Sequence, residues 1–177
     1  MYVVKKLLNF LEGTIFMSYT YTIKYLLENG GKEKIEKAVK EAELKTAGEI
    51  VVQIVKESRG FLGRAVGSIS DKEAVEKRAE REFMNLGIQQ TTGRTGVLIL
   101  VSLKERRVSI KADKDINDQV SEGTWDKPAD IVVDGFKMGA PISGICNAVE
   151  LVGNLLAERF PRKADDKNEL SDEVRIG

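Results

Sequence analysis

Glu49, Asp113, Asp115 and Arg94 are the residues of this 177-residue chain whose types and settings could do chemistry: Glu49 and Arg94 lie beside glycines, Asp113 ends an alternating run, and Asp115 follows two residues on. Carboxylate oxygens are the natural ligands of hard divalent cations such as calcium or magnesium, and Gly48 and Gly96 would let backbone approach a ligand closely. A cation held there polarises a phosphoryl oxygen or activates water, while a guanidinium such as that of Arg94 clamps a phosphate ester. The composition narrows the field to this chemistry. There is no histidine, which removes Ser-His-Asp catalysis, a phosphohistidine mechanism and the usual imidazole ligands of zinc. A single cysteine, Cys146, allows neither an intrachain disulfide nor a thiolate zinc site.

These carboxylates are distant in sequence, so the fold must gather them. Val97 to Leu103 is an apolar run far too short to span a membrane; Lys104-Glu105 follows, and then Arg106 to Ala112 alternates Val108, Ile110 and Ala112 with polar residues. That pattern predicts a β-hairpin, with the loop at Arg94, Thr95 and Gly96 lying beside Asp113 to Asp115. Upstream, Asn29-Gly30-Gly31 breaks the chain, and Lys32 to Lys45 carries Ile35, Ala38, Val39 and Ala42 at helical spacing. Glu49 to Val55 reads as a β-branched strand, and Gly60, Gly63 and Gly67 mark a mobile loop. Ser70-Asp-Lys-Glu73 has capping-box spacing and opens a helix that Gly87 ends.

Strand, helix, strand of this length is a crossover unit, so strands 49–55 and 97–103 should be parallel. The expected fold class is therefore α/β, a single domain with a mixed sheet of one parallel crossover plus a hairpin, flanked by helices. A polar segment then leads to Trp125, a helix opens at Lys127-Pro128, and a last helix runs from Pro141 to Phe160. On this topology Glu49, Arg94, Thr95, Asp113 and Asp115 converge on one rim. Strand ends also collect Asp, Glu and Gly for conformational reasons alone, and Arg94, Arg106 or Arg107 can pair with these carboxylates. A purely structural role thus stands beside the cation cage.

Other motifs are weaker. Asp113-x-Asp115-x-Asn117 begins like a calcium loop, but Asp118 stands where its turn glycine belongs and Thr124 where its bidentate glutamate belongs. A hairpin's second strand is the wrong setting for an aspartyl-phosphate phosphatase. Cys146 lacks the arginine of a tyrosine-phosphatase loop and reads as core packing. Gly93 to Gly96 lacks the Gly-Lys-Ser/Thr of a phosphate loop, and Gly60 to Gly63 matches an RNA-binding loop by spacing only. Lysine plus arginine and aspartate plus glutamate each total 28, so formal net charge is zero and no nucleic-acid partner is expected. Residues 1–16 imitate a signal peptide or anchor, but Asn9 and Glu12 interrupt the apolar run and no cleavage site follows. The expectation is a cytoplasmic chain, with membrane association through residues 1–16 left open and Met17 as an alternative start.

Several of these stretches, in this order, resemble the TPM domain family, whose name covers thylakoid-lumen and photosystem II repair relatives. They are Ala42 to Ile50, Phe83 through Gly87, Thr91 with Arg94 to Ile99, Arg106-Arg107, Ala112 to Ile116, Trp125, and Phe160-Pro-Arg through Asn168 to Glu173. The resemblance implies a mixed sheet flanked by helices and, for some members, divalent-cation binding or weak acid-phosphatase activity. Where many members have Asn and two glycines, this chain has Thr95, Ala112 and Asp115. The loss of the amide and the gain of a carboxylate favour cation binding over a specific catalytic geometry. The tail looks like that of the short stand-alone prokaryotic form. The expected organisation is an N-terminal extension over 1–31, partly disordered or a short helix, a TPM-like domain over 32–160 and an acidic polar tail over 161–177. The expected function is binding of a divalent cation, calcium or magnesium, by Glu49, Asp113 and Asp115 aided by Asp165 and Asp166. Asp113 and Arg94 would act on a phosphate ester with weak phosphatase activity. The alternative is a non-catalytic interaction or assembly-factor module whose exposed helices or amino terminus dock a protein partner.

Overall fold

The computed structural model of the protein describes residues 19–28, 30–59 and 69–177. Residues 1–16 and the glycines 60, 63 and 67 lie outside them. Two strands form the centre, β1 (Glu49–Val55) and β2 (Gly96–Ser102), and every residue of both is buried. Their β-branched and aliphatic side chains suit a sheet covered on both faces. β1 and β2 are parallel with Glu49 opposite Gly96, and β3 (Arg107–Ala112) is antiparallel to β2 with Ala112 opposite Val97. The strand order is β3-β2-β1-β4, so the class is α/β with a mixed four-stranded sheet.

Alternation along the strands sorts the core into two layers. Ile50, Val52, Ile54, Val97, Ile99 and Val101 pack on one face with α2 (Gly31–Glu43), α5 (Asp126–Lys137) and α6 (Pro141–Arg159), the fifth and sixth helices among the described residues. Val51, Val55, Leu98 and Leu100 pack on the other face with Val75, Ala79 and Phe83 of α3 (Asp71–Asn85) and with Ile88 of a 3-10 turn. Ser70 caps α3, its hydroxyl accepting the Glu73 N–H at 3.1 Å, and Gly87 in the left-handed region at φ 67° ends it. α5 and α6 touch backbone to backbone: a Cβ on Gly135 would lie 2.7 Å from the Gly144 Cα.

Three segments carry structure beyond the detail of the sequence reading. α1 (Tyr19–Glu28) is a short helix within the stretch read as an N-terminal extension; Thr22 and Leu26 are fully buried and Leu26 joins the main core. The polar segment after β3 contains a short helix, α4 (Lys114–Asn117), held by the fully buried Ile116. Residues 161–177 are packed against the body. Val174 is buried, Leu170 lies on the α3-side core, and β4 (Arg175–Ile176) adds a parallel edge to β1 with Gln53 opposite Arg175. The Gly177 N–H donates to the Ile54 carbonyl at 3.0 Å, and the Lys56 N–H to the Gly177 carbonyl at 3.0 Å. A charged composition hides this strap because backbone groups and a few apolar side chains hold it.

Candidate functional site

The threading of the sheet brings Glu49, Gly96 and Asp113 into one row. Glu49 pairs with Gly96, and the Asp113 N–H donates to the Gly96 carbonyl at 2.9 Å. Neighbouring strands are spaced about 5 Å apart, so the Glu49 and Asp113 backbones are about 10 Å apart. Between them Gly96 has no side chain, and Ile88 fills the place: a Cβ there would lie 2.3 Å from Ile88 Cγ2 and 2.7 Å from its carbonyl oxygen. An apolar wedge thus separates the two carboxylates that the sequence had joined.

Their environments differ. Glu49 is 4% exposed, and both its oxygens are taken: Oε1 accepts the Glu169 N–H and Oε2 the Leu170 N–H, each at 3.0 Å. Burial raises its pKa, the two backbone bonds oppose that rise, and the nearby charges of Glu169 and Asp166 add to it. Glu49 therefore clamps the strap. Asp113 is 7% exposed and caps α4, its Oδ1 accepting the Lys114 N–H at 2.7 Å. Its Oδ2 is buried and has no hydrogen-bond partner among the described residues.

The loop between the 3-10 turn and β2 frames Asp113. Thr95 is buried, its N–H donating to Thr91 Oγ1 at 3.2 Å and its hydroxyl to the Ala47 carbonyl at 2.9 Å. Arg94 is exposed and holds φ 47°, a left-handed backbone rarely adopted by a side chain of its size. The Lys114 ammonium binds Asp118, which raises its pKa; Asp115 reinforces that rise and Arg94 opposes it, so both lie within electrostatic reach of Lys114. From the far side, the Glu169 carboxylate accepts both the N–H and the hydroxyl of Thr92, the latter at 2.8 Å.

Of the expected ligands, the structure places Asp113 and the exposed Asp115 at the same corner, on either side of Lys114. It does not bring the rest to them. Glu49 lies beyond Ile88, Asp165 is exposed in the strap, and Asp166 sits 3.8 Å from Arg162. Among the described residues no three Asp, Glu or Cys side chains converge closely enough to hold a metal ion by themselves. The cage of Glu49, Asp113 and Asp115 expected from topology, with Asp165 and Asp166 to aid it, is therefore not assembled among the described residues.

Glu43 was missed. It is 7% exposed, its Oε1 accepts the Ile50 N–H at 2.7 Å, and its Oε2 is buried without a partner among the described residues. Burial, together with the charges of Glu49 and Asp172, pushes its pKa up to about 9 against the opposing Ile50 bond. The signal was present: Glu43 is eight residues after Ile35 and four after Val39, on the apolar stripe of α2.

A mixed sheet between two helical layers, with one rim carrying an incompletely paired aspartate beside an arginine loop, defines an α/β domain with a polar corner. A family model described as the TPM domain matches residues 24–155, and the chain belongs to that family. Among solved structures, the NMR structure of the BA42 protein from the psychrophilic bacterium Bizionia argentinensis is similar, with 34% identity and a TM-score of 0.71. That likeness covers 84% of this chain and 93% of the other. No curated protein matches the chain significantly. No helix among the described residues is long and apolar enough to cross a membrane.

Proposed function

We propose that the corner at Asp113 binds a divalent cation together with a phosphate ester, and that any hydrolysis there is slow. The observation that carries this reading is the Asp113 Oδ2 atom, buried without a partner among the described residues. A buried acceptor left unsatisfied costs about 1–3 kcal/mol, and more when charged, so a ligand that completes it gains that much. Magnesium commonly uses one or two carboxylates plus substrate phosphate oxygens and retained water, and therefore needs no cage of three. Asp113 and Asp115 supply that number, which favours magnesium over a many-oxygen calcium site. A bound cation would supply charge stabilisation at the phosphoryl oxygens. Arg94 would orient the same phosphate from the loop, and the Glu169 clamp on Thr92 would hold that loop in place. Glu49, with both oxygens occupied, takes no part.

Thermal melting with magnesium and inorganic phosphate tests the reading. At a hundredfold excess over Kd a ligand adds about 2.7 kcal/mol, equivalent to about 5–10 °C for a chain of this size. The wild type should show such a rise and Asp113→Asn should not; equal responses discard the site. Release of phosphate from an aryl phosphate should also disappear in Asp113→Asn. Activity unaffected by that change would be a contaminant's, and the interaction-module reading would take its place.

A further inference from the structure

We propose that the cavity between the end of α2, the start of β1 and the strap 161–177 binds the ammonium group of a small primary amine. The cavity measures about 130 Å³, room for a ligand of a few heavy atoms. Lys40 and Glu43 line it from α2, Glu49 from β1, and Arg162, Asp166 and Asn168 from the strap. It lies on the Glu49 side of the Ile88 wedge, so it is separate from the Asp113 corner and independent of the reading made there. Glu43 anchors the site. The residue is 7% exposed, Oε1 is fixed on the Ile50 N–H at 2.7 Å, and Oε2 is buried without a hydrogen-bond partner among the described residues. A buried acceptor left unmade is costly, so a donor entering this cavity is stabilised there.

The other walls select the ligand, because most of their polar groups are already spent. Both Glu49 oxygens hold strap N–H groups. The Thr46 hydroxyl donates to the Phe160 carbonyl at 2.6 Å and accepts the Gly48 N–H at 3.0 Å. Arg162 Nη1 donates to the Glu43 carbonyl at 3.0 Å and Nη2 to that of Asp166 at 3.4 Å. Asn168 gives its amide N–H to Asp172, and Asp166 meets Arg162 through Oδ2, which leaves Oδ1 of each open. With Glu43 Oε2 that makes three acceptors, the number a primary ammonium satisfies with its three N–H groups. The chain's own ammonium on Lys40 leaves Glu43 Oε2 unpartnered. Leu44, 63% exposed, adds an apolar wall for the amine's carbon chain. A hard divalent cation suits the place less well, since it demands about six oxygens, no three carboxylates converge among the described residues, and Lys40 and Arg162 stand in the wall. Burial keeps Glu43 protonated at neutral pH, so capture of the ammonium displaces that proton to solvent.

Titration of the full chain with methylammonium chloride, followed by amide NMR in mildly alkaline buffer at constant ionic strength, tests the site. The Ile50 N–H, held by Glu43, should shift and saturate, while the Lys114 N–H, held by Asp113, should stay still. Potassium, a monovalent cation without N–H groups, should leave Ile50 unmoved, and so should magnesium. An equal response to either cation overturns the proposal, and so does a methylammonium titration that never saturates, which would leave the cavity to water. Glu43→Gln turns a donor toward the cavity and should weaken binding about tenfold or more; unchanged affinity overturns the site. Should Glu43→Gln fail to fold, Lys40→Met decides on an exposed position: without the chain's own ammonium to compete, methylammonium should bind at least as tightly, and weaker binding overturns the assignment.

Discussion

Glu49→Gln separates the two roles open to a rim carboxylate. The substitution keeps size and shape but turns one acceptor oxygen into an amide donor, so either the Glu169 or the Leu170 N–H loses its partner and meets another donor. A hydrogen bond to a charged group is worth about 1.5–3 kcal/mol net, and at 4% exposure water cannot replace it. Against this, burial disfavours the Glu49 charge, as its raised pKa shows, and a neutral amide escapes that penalty. The balance is a loss of about 1–2 kcal/mol, or about 2–8 °C in Tm. Amide hydrogen exchange should quicken at Glu169 and Leu170 and stay unchanged at Leu98 in the sheet centre. The response to magnesium and phosphate should equal that of the wild type. An unchanged Tm with a lost cation response would refute the clamp and return Glu49 to the ligand set.

Gly96→Ala forces a methyl against Ile88, including its carbonyl oxygen 2.7 Å away, which no rotamer change relieves. Overpacking of this kind costs about 1–3 kcal/mol, so Tm should fall; a Tm within error of the wild type would mean that Ile88 is no wedge. Stability should also decline with pH. Glu43 has a folded pKa of about 9 against 4.5 when exposed, so its contribution is full below 4.5 and is lost as pH rises through about 9. Glu49 shifts in the same direction and adds to the slope, which approaches about 1.4 kcal/mol per pH unit for each proton. Chemical denaturation across this range should show a shallower decline in Glu43→Gln, and identical slopes would rule out Glu43 as the titrating group.

The frame was readable because each of its elements carries its own signal. β1 and β2 are unbroken aliphatic runs, β3 alternates, and Ser70 with Glu73 announces the start of α3. The parallel crossover follows from chain length alone, and with it the row Glu49, Gly96, Asp113. What could not be read is anything that depends on side chains meeting backbone from afar. The strap has two strand residues and no apolar period, and its place is set by Glu36 and Glu49 accepting its N–H groups. Glu43 was legible in principle, because a charge on an apolar helical stripe must either be paired or give up its ionisation.

Gathering carboxylates on a rim is therefore a weaker inference than counting their unspent oxygens. Glu49 and Asp113 share a row and a sheet edge, yet Glu49 has two N–H partners and Asp113 has one. Gly96 decides the matter: without a side chain there, Ile88 enters between the two, and each carboxylate answers to a different neighbour. Glu49 answers to the strap, and Asp113 keeps a buried oxygen without a partner among the described residues. The strap still reaches the second corner, because Glu169, whose N–H is caught by Glu49, catches Thr92 in turn. Substitution of Glu169 should therefore loosen the Thr91–Gly96 loop without touching the Asp113 carboxylate.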